Sequence, residues 1–187
     1  MSQMGRIQTL ARYRLMSRTS NRSLLMTIIL LLPGCASDVQ LPVGQLPLDP
    51  VTFFLGRSYG DAKLHKIFGT TAQVRVESIG RKQDGALVLD QTIREAHHPS
   101  RTRQWLIRKV GPNEYSGTLT DAAGPVQISV QGPRAYINYK MNGALVVRQQ
   151  LALQSDGTTV LNRLDVFKFG IRVATLQETI RKPRLNR

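Results

Sequence analysis

The only cysteine of the chain, Cys35, has the most readily interpreted chemistry. A single thiol cannot form an internal disulfide, so in an oxidising compartment it needs another role. It follows an apolar run from Leu24 to Leu32 and the small residue Gly34, and five arginines with no acid precede that run. A basic start, an apolar middle and a small residue at the cut are typical of a secretory signal. The sequence therefore predicts a signal peptide over residues 1–34, cleaved between Gly34 and Cys35.

The stretch from Leu32 to Cys35 resembles a bacterial lipobox, in which a leucine and a small residue precede the cysteine that begins the mature protein. The resemblance implies that the Cys35 thiol takes a diacylglyceryl group and that the new amino terminus is acylated, for example with palmitate. Two or more acyl chains anchor a protein stably to a membrane. Because Ala36 and Ser37 follow instead of an aspartate, we expect sorting to the outer membrane, facing the periplasm.

A transmembrane anchor is the alternative interpretation of the apolar run. Crossing the hydrocarbon core of a bilayer takes about 20 apolar residues. The stretch from Leu24 to Leu32 covers only about 14 Å of a helix that rises about 1.5 Å per residue. The run therefore favours a cleaved signal peptide over a membrane span.

Four side chains on predicted strands are candidates for contact with a ligand. Trp105, Tyr136 and Tyr139 either fill the core or line a cavity, and Arg163 offers a charge to the head group of an amphipathic molecule. Faces cannot be assigned without the strand register, because a slip of one residue reverses every side chain. Both interpretations stay open at this point.

Glu95, His97 and His98 form the only dense cluster of possible metal ligands. Pro99 and Ser100 follow at once and indicate a turn, and adjacent residues of a strand point to opposite faces. We therefore expect a solvated loop, with no metal site and no cofactor.

A hydrolase triad can be written from Ser116 or Ser129 with one of the histidines and Asp121. No nucleophile-elbow context surrounds either serine. The sequence consequently favours a protein that is not an enzyme, with an envelope hydrolase as the least favoured function.

Alternating apolar and polar residues dominate the chain from about Asp61 onward, which is typical of strands with one buried face. Three dipeptides that tight hairpin turns prefer separate such runs: Asp84-Gly85, Asn142-Gly143 and Asp156-Gly157. Connections this short favour antiparallel neighbours. We expect about nine or ten strands closed into a lipocalin-like barrel, because closure removes exposed edges. A β-sandwich is the alternative all-β architecture.

The residues between Cys35 and these strands divide into two predicted parts. Residues 35–48 are proline-spaced and lack a period that could bury a face, which indicates a flexible tether. Asp49-Pro50 is a typical helix cap and first helical residue, so a short helix follows, with Phe53 and Phe54 packing inward. The barrel domain is thus predicted over residues 49–182, with a basic tail over 183–187.

Six short motifs follow one another along the predicted barrel. They are GR-x-x-G from Gly56, QDG from Gln83, R-x-W from Arg103, Y-x-G from Tyr115, LNR from Leu161 and KFG-x-RV from Lys168. In this order, and together with the lipobox, they resemble the bacterial lipoprotein family called domain of unknown function 3833. The resemblance covers about residues 50–182 and implies a lipocalin-like barrel in an envelope lipoprotein. It implies no reaction and no catalytic residues.

The chain is strongly basic, with 26 Lys and Arg against 12 Asp and Glu. The basic residues alternate singly along strands and form no basic helix, so nucleic acid is not expected as a partner. Anionic lipid is the expected counter-charge, especially for the cluster of Arg181, Lys182, Arg184 and Arg187. An ordinary solvated tail is the equal alternative for this cluster.

These features lead to one favoured function and two alternatives. The favoured one is an outer-membrane lipoprotein whose barrel binds or shields an apolar or amphipathic small molecule. The second is a structural or assembly lipoprotein that contacts other envelope proteins, and the third is the envelope hydrolase. The signal peptide, the hairpin pattern and the positive charge support the first.

Overall fold

The computed structural model describes residues 40–183, which form one short helix and ten strands in a closed antiparallel barrel. The elements are α1 (Pro50–Phe53), β1 (Gly56–Lys66), β2 (Ala72–Gln83), β3 (Ala86–Glu95), β4 (Arg101–Lys109), β5 (Glu114–Leu119), β6 (Val126–Gln131), β7 (Arg134–Met141), β8 (Leu145–Leu153), β9 (Thr159–Lys168) and β10 (Ile171–Arg181). The predicted all-β barrel with a short preceding helix is confirmed.

Each strand pairs with the next along the chain, and β1 closes the sheet by pairing with β10. This closing register runs from Tyr59 opposite Arg181 to Lys66 opposite Ala174. Every strand therefore has two hydrogen-bonded neighbours, and the barrel has no free edge. The β-sandwich alternative is wrong.

Tight turns join the strands at both ends of the barrel. Asp84 and Gly85 adopt positive φ angles of 48° and 76°, as the Asp-Gly pattern predicts for the β2–β3 hairpin. Phe169 and Gly170, between β9 and β10, adopt φ angles of 50° and 81°. The sequence pattern missed this second turn, because a bulky residue rarely occupies the left-handed region.

The first strand begins at Gly56, earlier than the alternating pattern indicates. Its inward positions at this end are Ser58, Gly60 and Ala62, all buried and all small. A strand whose buried face carries no large apolar side chain shows no hydrophobic period. This explains why the sequence pattern places the start of the strand too late.

The short helix α1 covers one end of the barrel. Asp49 caps it by accepting a hydrogen bond from the Thr52 amide at 2.9 Å. Phe53 and Phe54 are buried and contact each other edge to face, with ring centroids 5.0 Å apart. The Tyr115 hydroxyl donates to Asp49 Oδ2 at 3.1 Å, which ties the cap to β5. Burial, followed by the negative charge of Asp49, raises the pKa of Tyr115 to about 12.

Residues 40–48 lie against the barrel, which differs from the predicted flexible tether over residues 35–48. The Gly44 amide donates to the Leu153 carbonyl at 2.7 Å, and the Leu48 amide donates to the Gly132 carbonyl at 2.9 Å. Leu48 is buried in the same core as Phe53. The backbone groups thus find partners at two strand ends without any helical or strand period in the sequence.

Several predicted features lie outside the described residues. They are the signal peptide, Gly34 and Cys35 of the cleavage site, the start of the tether, and residues 184–187 of the basic tail. Between residues 40 and 183, no helix is long and apolar enough to cross a membrane.

Gly117 on β5 provides a test of how closely the strands pack. A Cβ atom at this position would lie 1.9 Å from the Leu106 carbonyl oxygen, which belongs to the rigid backbone of β4. We expect Gly117→Ala to lower the free energy of unfolding by about 2 kcal/mol or more, through overpacking. Urea unfolding followed by circular dichroism measures the loss.

Gly124→Ala is the matched control, because nothing lies within 4 Å of a Cβ atom there. We expect its stability to stay within about 0.5 kcal/mol of the wild type. Equal losses in the two variants would contradict the close approach of β4 and β5.

Candidate functional site

The barrel is hollow. A cavity of about 560 Å³ opens at the end opposite α1, where β1, β3 and β7 end at Lys66, Glu95 and Met141. This volume lies within the range of about 300–1,000 Å³ that is usual for ligand sites. We call it the large cavity.

Strand alternation makes the walls of the large cavity apolar. Successive side chains of a strand point to opposite faces, so every second residue points into the barrel. The apolar residues that line the large cavity in this way are Leu64, Val74, Val76, Ile93, Leu145, Val147, Leu164, Val166 and Leu176. They come from six different strands, so the walls are apolar around the barrel.

The floor of the large cavity is polar. Arg103, Asn162 and Glu178 line both the large cavity and a pocket of about 40 Å³ beside α1, so they lie between the two spaces. Gln91 belongs to the same group and lines the smaller pocket. We call Gln91, Arg103, Asn162 and Glu178 the floor cluster.

Hydrogen bonds fix the orientation of the floor cluster. Gln91 Oε1 accepts from Arg103 Nε and from Trp105 Nε1, both at 2.8 Å. The Gln91 amide group in turn donates to Ser78 Oγ at 3.0 Å. Across the barrel, Asn162 Nδ2 donates to Glu178 Oε2 at 2.7 Å. The side chains of five strands are thereby held in place.

Gly60 on β1 leaves the space that Glu178 occupies. A Cβ atom at position 60 would lie 1.8 Å from Glu178 Oε1 and 2.8 Å from its carboxyl carbon. Any larger residue would force the carboxyl group to move. The glycine that ends the GR-x-x-G motif is therefore a structural requirement of the floor cluster.

Two buried acceptors near the floor have no partner among the described residues. They are Asn162 Oδ1 and Gln149 Oε1. Only 4% of the surface of Asn162 is exposed, so bulk solvent does not satisfy its oxygen. A buried unsatisfied group costs about 1–3 kcal/mol. The Asn162 oxygen can recover this energy from a hydrogen-bond donor that enters the cavity.

Burial shifts the pKa values of two groups that line the large cavity. It raises the pKa of Glu178, and the hydrogen bond from Asn162 and the positive charge of Arg103 oppose that shift. It also raises the pKa of the Tyr139 hydroxyl, and Arg103 again opposes the shift. Glu178 keeps some accessible surface because it borders the cavity, but protein surrounds that space and separates the carboxyl from bulk water.

Charged and apolar side chains form the rim of the large cavity. Lys66 Nζ donates to Glu95 Oε1 at 2.9 Å, and this bond lowers the pKa of Glu95. His98 Nε2 lies 3.7 Å from the same oxygen, and His97 adopts a φ of 65° in the β3–β4 loop. Large exposed apolar residues occur on the two neighbouring connections: Ile67, Phe68, Phe169 and Ile171.

The structure separates the four predicted ligand contacts into two pairs. Trp105 and Tyr139 are buried inside the barrel, line pockets and contact each other edge to face at 5.7 Å between centroids. Tyr136 lies between the buried Ala135 and Ile137, so its side chain points to the outer face.

Arg163 is also on the outer face, where its guanidinium donates to Asp165 at 2.9 Å and 3.3 Å. Its neighbour Asn162 takes the inward position. Two other arginines line the large cavity instead, Arg101 near the mouth and Arg103 at the floor, and sequence reasoning chose neither. The available signal for Arg103 was its spacing: it lies two residues before Trp105 on one strand, and so shares the face of an aromatic residue.

The serines of the hydrolase hypothesis also lie away from the cavity. Ser116 alternates with the buried Tyr115, and Ser129 alternates with the buried Ile128, so both point outward. His98 and Asp121 are at the mouth of the large cavity. Among residues 40–183, no group of three or more His, Cys, Asp and Glu side chains could hold a metal ion.

A family model described as a protein of unknown function, DUF3833, matches residues 29–182. The chain belongs to the DUF3833 family. Four of the motif residues that suggested this membership lie at or beside the cavity floor: Gly60, Arg103, Trp105 and Asn162. No curated protein gives a significant match to the sequence.

Solved structures show the same barrel fold as this DUF3833 chain. An S-type phycobiliprotein lyase of Guillardia theta has a TM-score of 0.59 at 6% identity, over 73% of this chain and 92% of that one. A DUF3598 protein of unknown function from Nostoc punctiforme PCC 73102 has a TM-score of 0.57 at 13% identity, over 78% of this chain and 53% of that one. Rv2717c of M. tuberculosis has a TM-score of 0.54 at 14% identity, over 73% of this chain and 99% of that one. At these identities the likeness is one of fold.

The raised pKa of Glu178 gives a pH dependence with a defined sign. The folded chain binds the Glu178 proton more tightly than the unfolded chain, so its stabilising contribution is complete below the unfolded pKa and is lost as pH rises through the folded pKa. We expect the free energy of unfolding of the wild type to fall relative to that of Glu178→Gln as the pH rises above the ordinary glutamate pKa of 4.5. Urea titrations at successive pH values measure the difference.

Glu114→Gln on the exposed face of β5 is the matched control. Its stability difference from the wild type should change less with pH than that of Glu178→Gln. A constant difference between the wild type and Glu178→Gln would contradict a desolvated carboxyl at the floor.

Proposed function

We propose that the barrel binds an apolar or amphipathic small molecule in the large cavity. The observation that carries this proposal is an open cavity of about 560 Å³ with apolar walls above a polar floor. The apolar part of the molecule lies along the walls, where each buried methylene contributes about 0.8 kcal/mol. The polar part lies against the floor cluster.

Features of the cavity favour a ligand over a filled core. A side-chain-filled barrel of this size would place large residues at inward positions of every strand. At the open end, inward positions carry side chains such as Val74, Val147 and Val166, and about 560 Å³ between the walls stays unfilled.

The cellular setting that we propose is the bacterial envelope. Cleavage before Cys35 and acylation of its thiol would hold the barrel at the outer membrane, on the periplasmic side. The basic leader, the apolar run and the lipobox-like sequence support this setting. A barrel held there would bind or shield apolar molecules close to the lipid from which they come.

A filling substitution tests the cavity as a binding site. Val166 lines the large cavity, whereas Phe167 on the same strand points outward, beneath the guanidinium of Arg148 at 5.1 Å. We expect Val166→Trp to weaken binding of the neutral fluorescent probe N-phenyl-1-naphthylamine by about tenfold or more, because the indole occupies probe space. Fluorescence titration of the purified protein measures the affinity.

Phe167→Trp is the matched control and should bind the probe as the wild type does. Thermal unfolding establishes that both variants fold. The proposal fails if the wild type does not bind the probe, or if the two variants bind it equally well.

Replacement of Cys35 tests the anchor separately. We expect Cys35→Ala to lose incorporation of radiolabelled palmitate in growing cells and to leave the membrane fraction, because the thiol that carries the diacylglyceryl group is gone. Ser37→Ala, two residues away, should keep both properties. Continued labelling of Cys35→Ala would refute the lipobox interpretation.

A further inference from the structure

We propose that the ligand of the large cavity carries a negatively charged head group, a carboxylate or a phosphate, that pairs with Arg103 at the floor. This inference rests on the proposed function and adds the chemical class of the ligand. It starts from an interior cation whose charge the described residues do not neutralise by contact.

Arg103 projects into the interior of the barrel. Its side chain lines the large cavity and the smaller pocket. Its Nε donates to the neutral oxygen of Gln91 at 2.8 Å, and its guanidinium carbon lies 5.5 Å from the centre of the Trp105 ring. These contacts orient the guanidinium group and leave its charge without a counter-ion.

Within the described part of the chain, no carboxylate oxygen lies within 4.0 Å of a guanidinium nitrogen of Arg103. The other three motif arginines each pair with a carboxylate: Arg57 with Glu77, and Arg163 and Arg172 with Asp165. An interior charge without a partner is costly, because protein replaces the water that would solvate it. A ligand anion supplies the missing partner.

Glu178 is the acidic member of the floor cluster, but it bonds to Asn162, its direct neighbour on the adjacent strand β9. Its burial raises its pKa and so favours the protonated, neutral form. Each step toward that form leaves more of the positive charge of Arg103 uncompensated. The floor cluster is therefore electrostatically suited to an anion.

The charges at the rim do not compete for this role. Lys66 is bound to Glu95 at 2.9 Å, so this cation already has a partner. Arg101 also lines the large cavity, but it is exposed at the start of β4, where water solvates its charge. An anionic head group that moves deeper than Arg101 meets apolar walls until it reaches Arg103. The planar guanidinium group can bond two oxygens of a carboxylate or a phosphate at once, which a lysine cannot do.

Asn162 provides a second, independent observation that a ligand group belongs at the floor. It is 4% exposed, its amide group is used by Glu178, and its Oδ1 atom has no partner among residues 40–183. A carbonyl oxygen accepts hydrogen bonds only. A hydroxyl on the head group, or water bound to the anion, would satisfy it.

Paired probes test the charge of the head group. cis-Parinaric acid and its methyl ester share one fluorescent chain and differ in the charge at the end. We expect the purified wild-type protein to bind the acid about tenfold or more tightly than the ester, which corresponds to about 1.4 kcal/mol. In Arg103→Gln the two affinities should become equal, because only the acid loses its partner.

Arg108→Gln is the matched control. Arg108 lies on the same strand but on its outer face, where its guanidinium donates to the Asp84 carbonyl. This variant should keep the preference for the acid. Arg103→Lys, which keeps the charge but loses the fork, should retain part of the preference. A long-chain alkyl phosphate that competes with the acid then distinguishes a phosphate head group from a carboxylate.

The outcomes separate this inference from the proposed function. Equal binding of acid and ester by the wild type overturns the anionic head group while leaving the cavity as a binding site. Binding of neither probe would overturn both. If Arg103→Gln does not fold, the comparison of acid and ester in the wild type and in Arg103→Lys still decides the question.

Discussion

The pairing of β1 with β10 is the contact on which the interior depends. It joins the two ends of the sheet over eight residue pairs and turns an open meander into a barrel. The same two strands carry Gly60 and Glu178 into the interior, so closure and the floor cluster share one seam. Without closure, the apolar walls would face solvent, and Glu178 would lose the cover of β1 and keep only Asn162 on the adjacent β9.

The seam limits side-chain size, as the close approach of β4 does at Gly117. Where β1 meets α1 and β2, even the backbone is close: a Cβ atom at Gly80 would lie 1.9 Å from the Phe54 carbonyl oxygen. Small residues on β1 and β2 thus let the helix and a carboxyl group approach the sheet. Further along the seam, Leu64 and Leu176 restore an apolar wall. One end of the barrel is consequently packed and the other is hollow.

The order and type of the strands could be predicted from sequence, but the cavity residues could not. Alternation identifies the strands locally, and Asp-Gly or Asn-Gly dipeptides identify three of the turns, because the required φ angles belong to particular residue types. Which face points inward depends on register around a closed sheet, a property that no single strand contains. Tyr136 and Arg163 therefore appeared equivalent to Tyr139 and Arg103, and only the pairing separated them.

Residues 40–48 are more ordered than their local sequence predicts. The stretch has no helical or strand period, and its stability comes from bonds to chain-distant carbonyls such as those of Gly132 and Leu153.

The floor cluster lowers the free energy of unfolding, and a purely structural barrel would have no reason to contain it. Apolar residues at positions 103, 162 and 178 would fill the space between the two pockets and would remove an uncompensated cation and an orphaned acceptor. The glycine at position 60 adds to this loss of stability, since it gives up packing so that a carboxylic acid can fit. Such polar groups lower the stability of the fold, and hydrogen bonds orient them toward an open cavity. This combination is typical of a binding site, where a bound molecule supplies the missing charge and hydrogen-bond partners. Folding alone gives no reason to keep them, whereas recognition of a polar head group does.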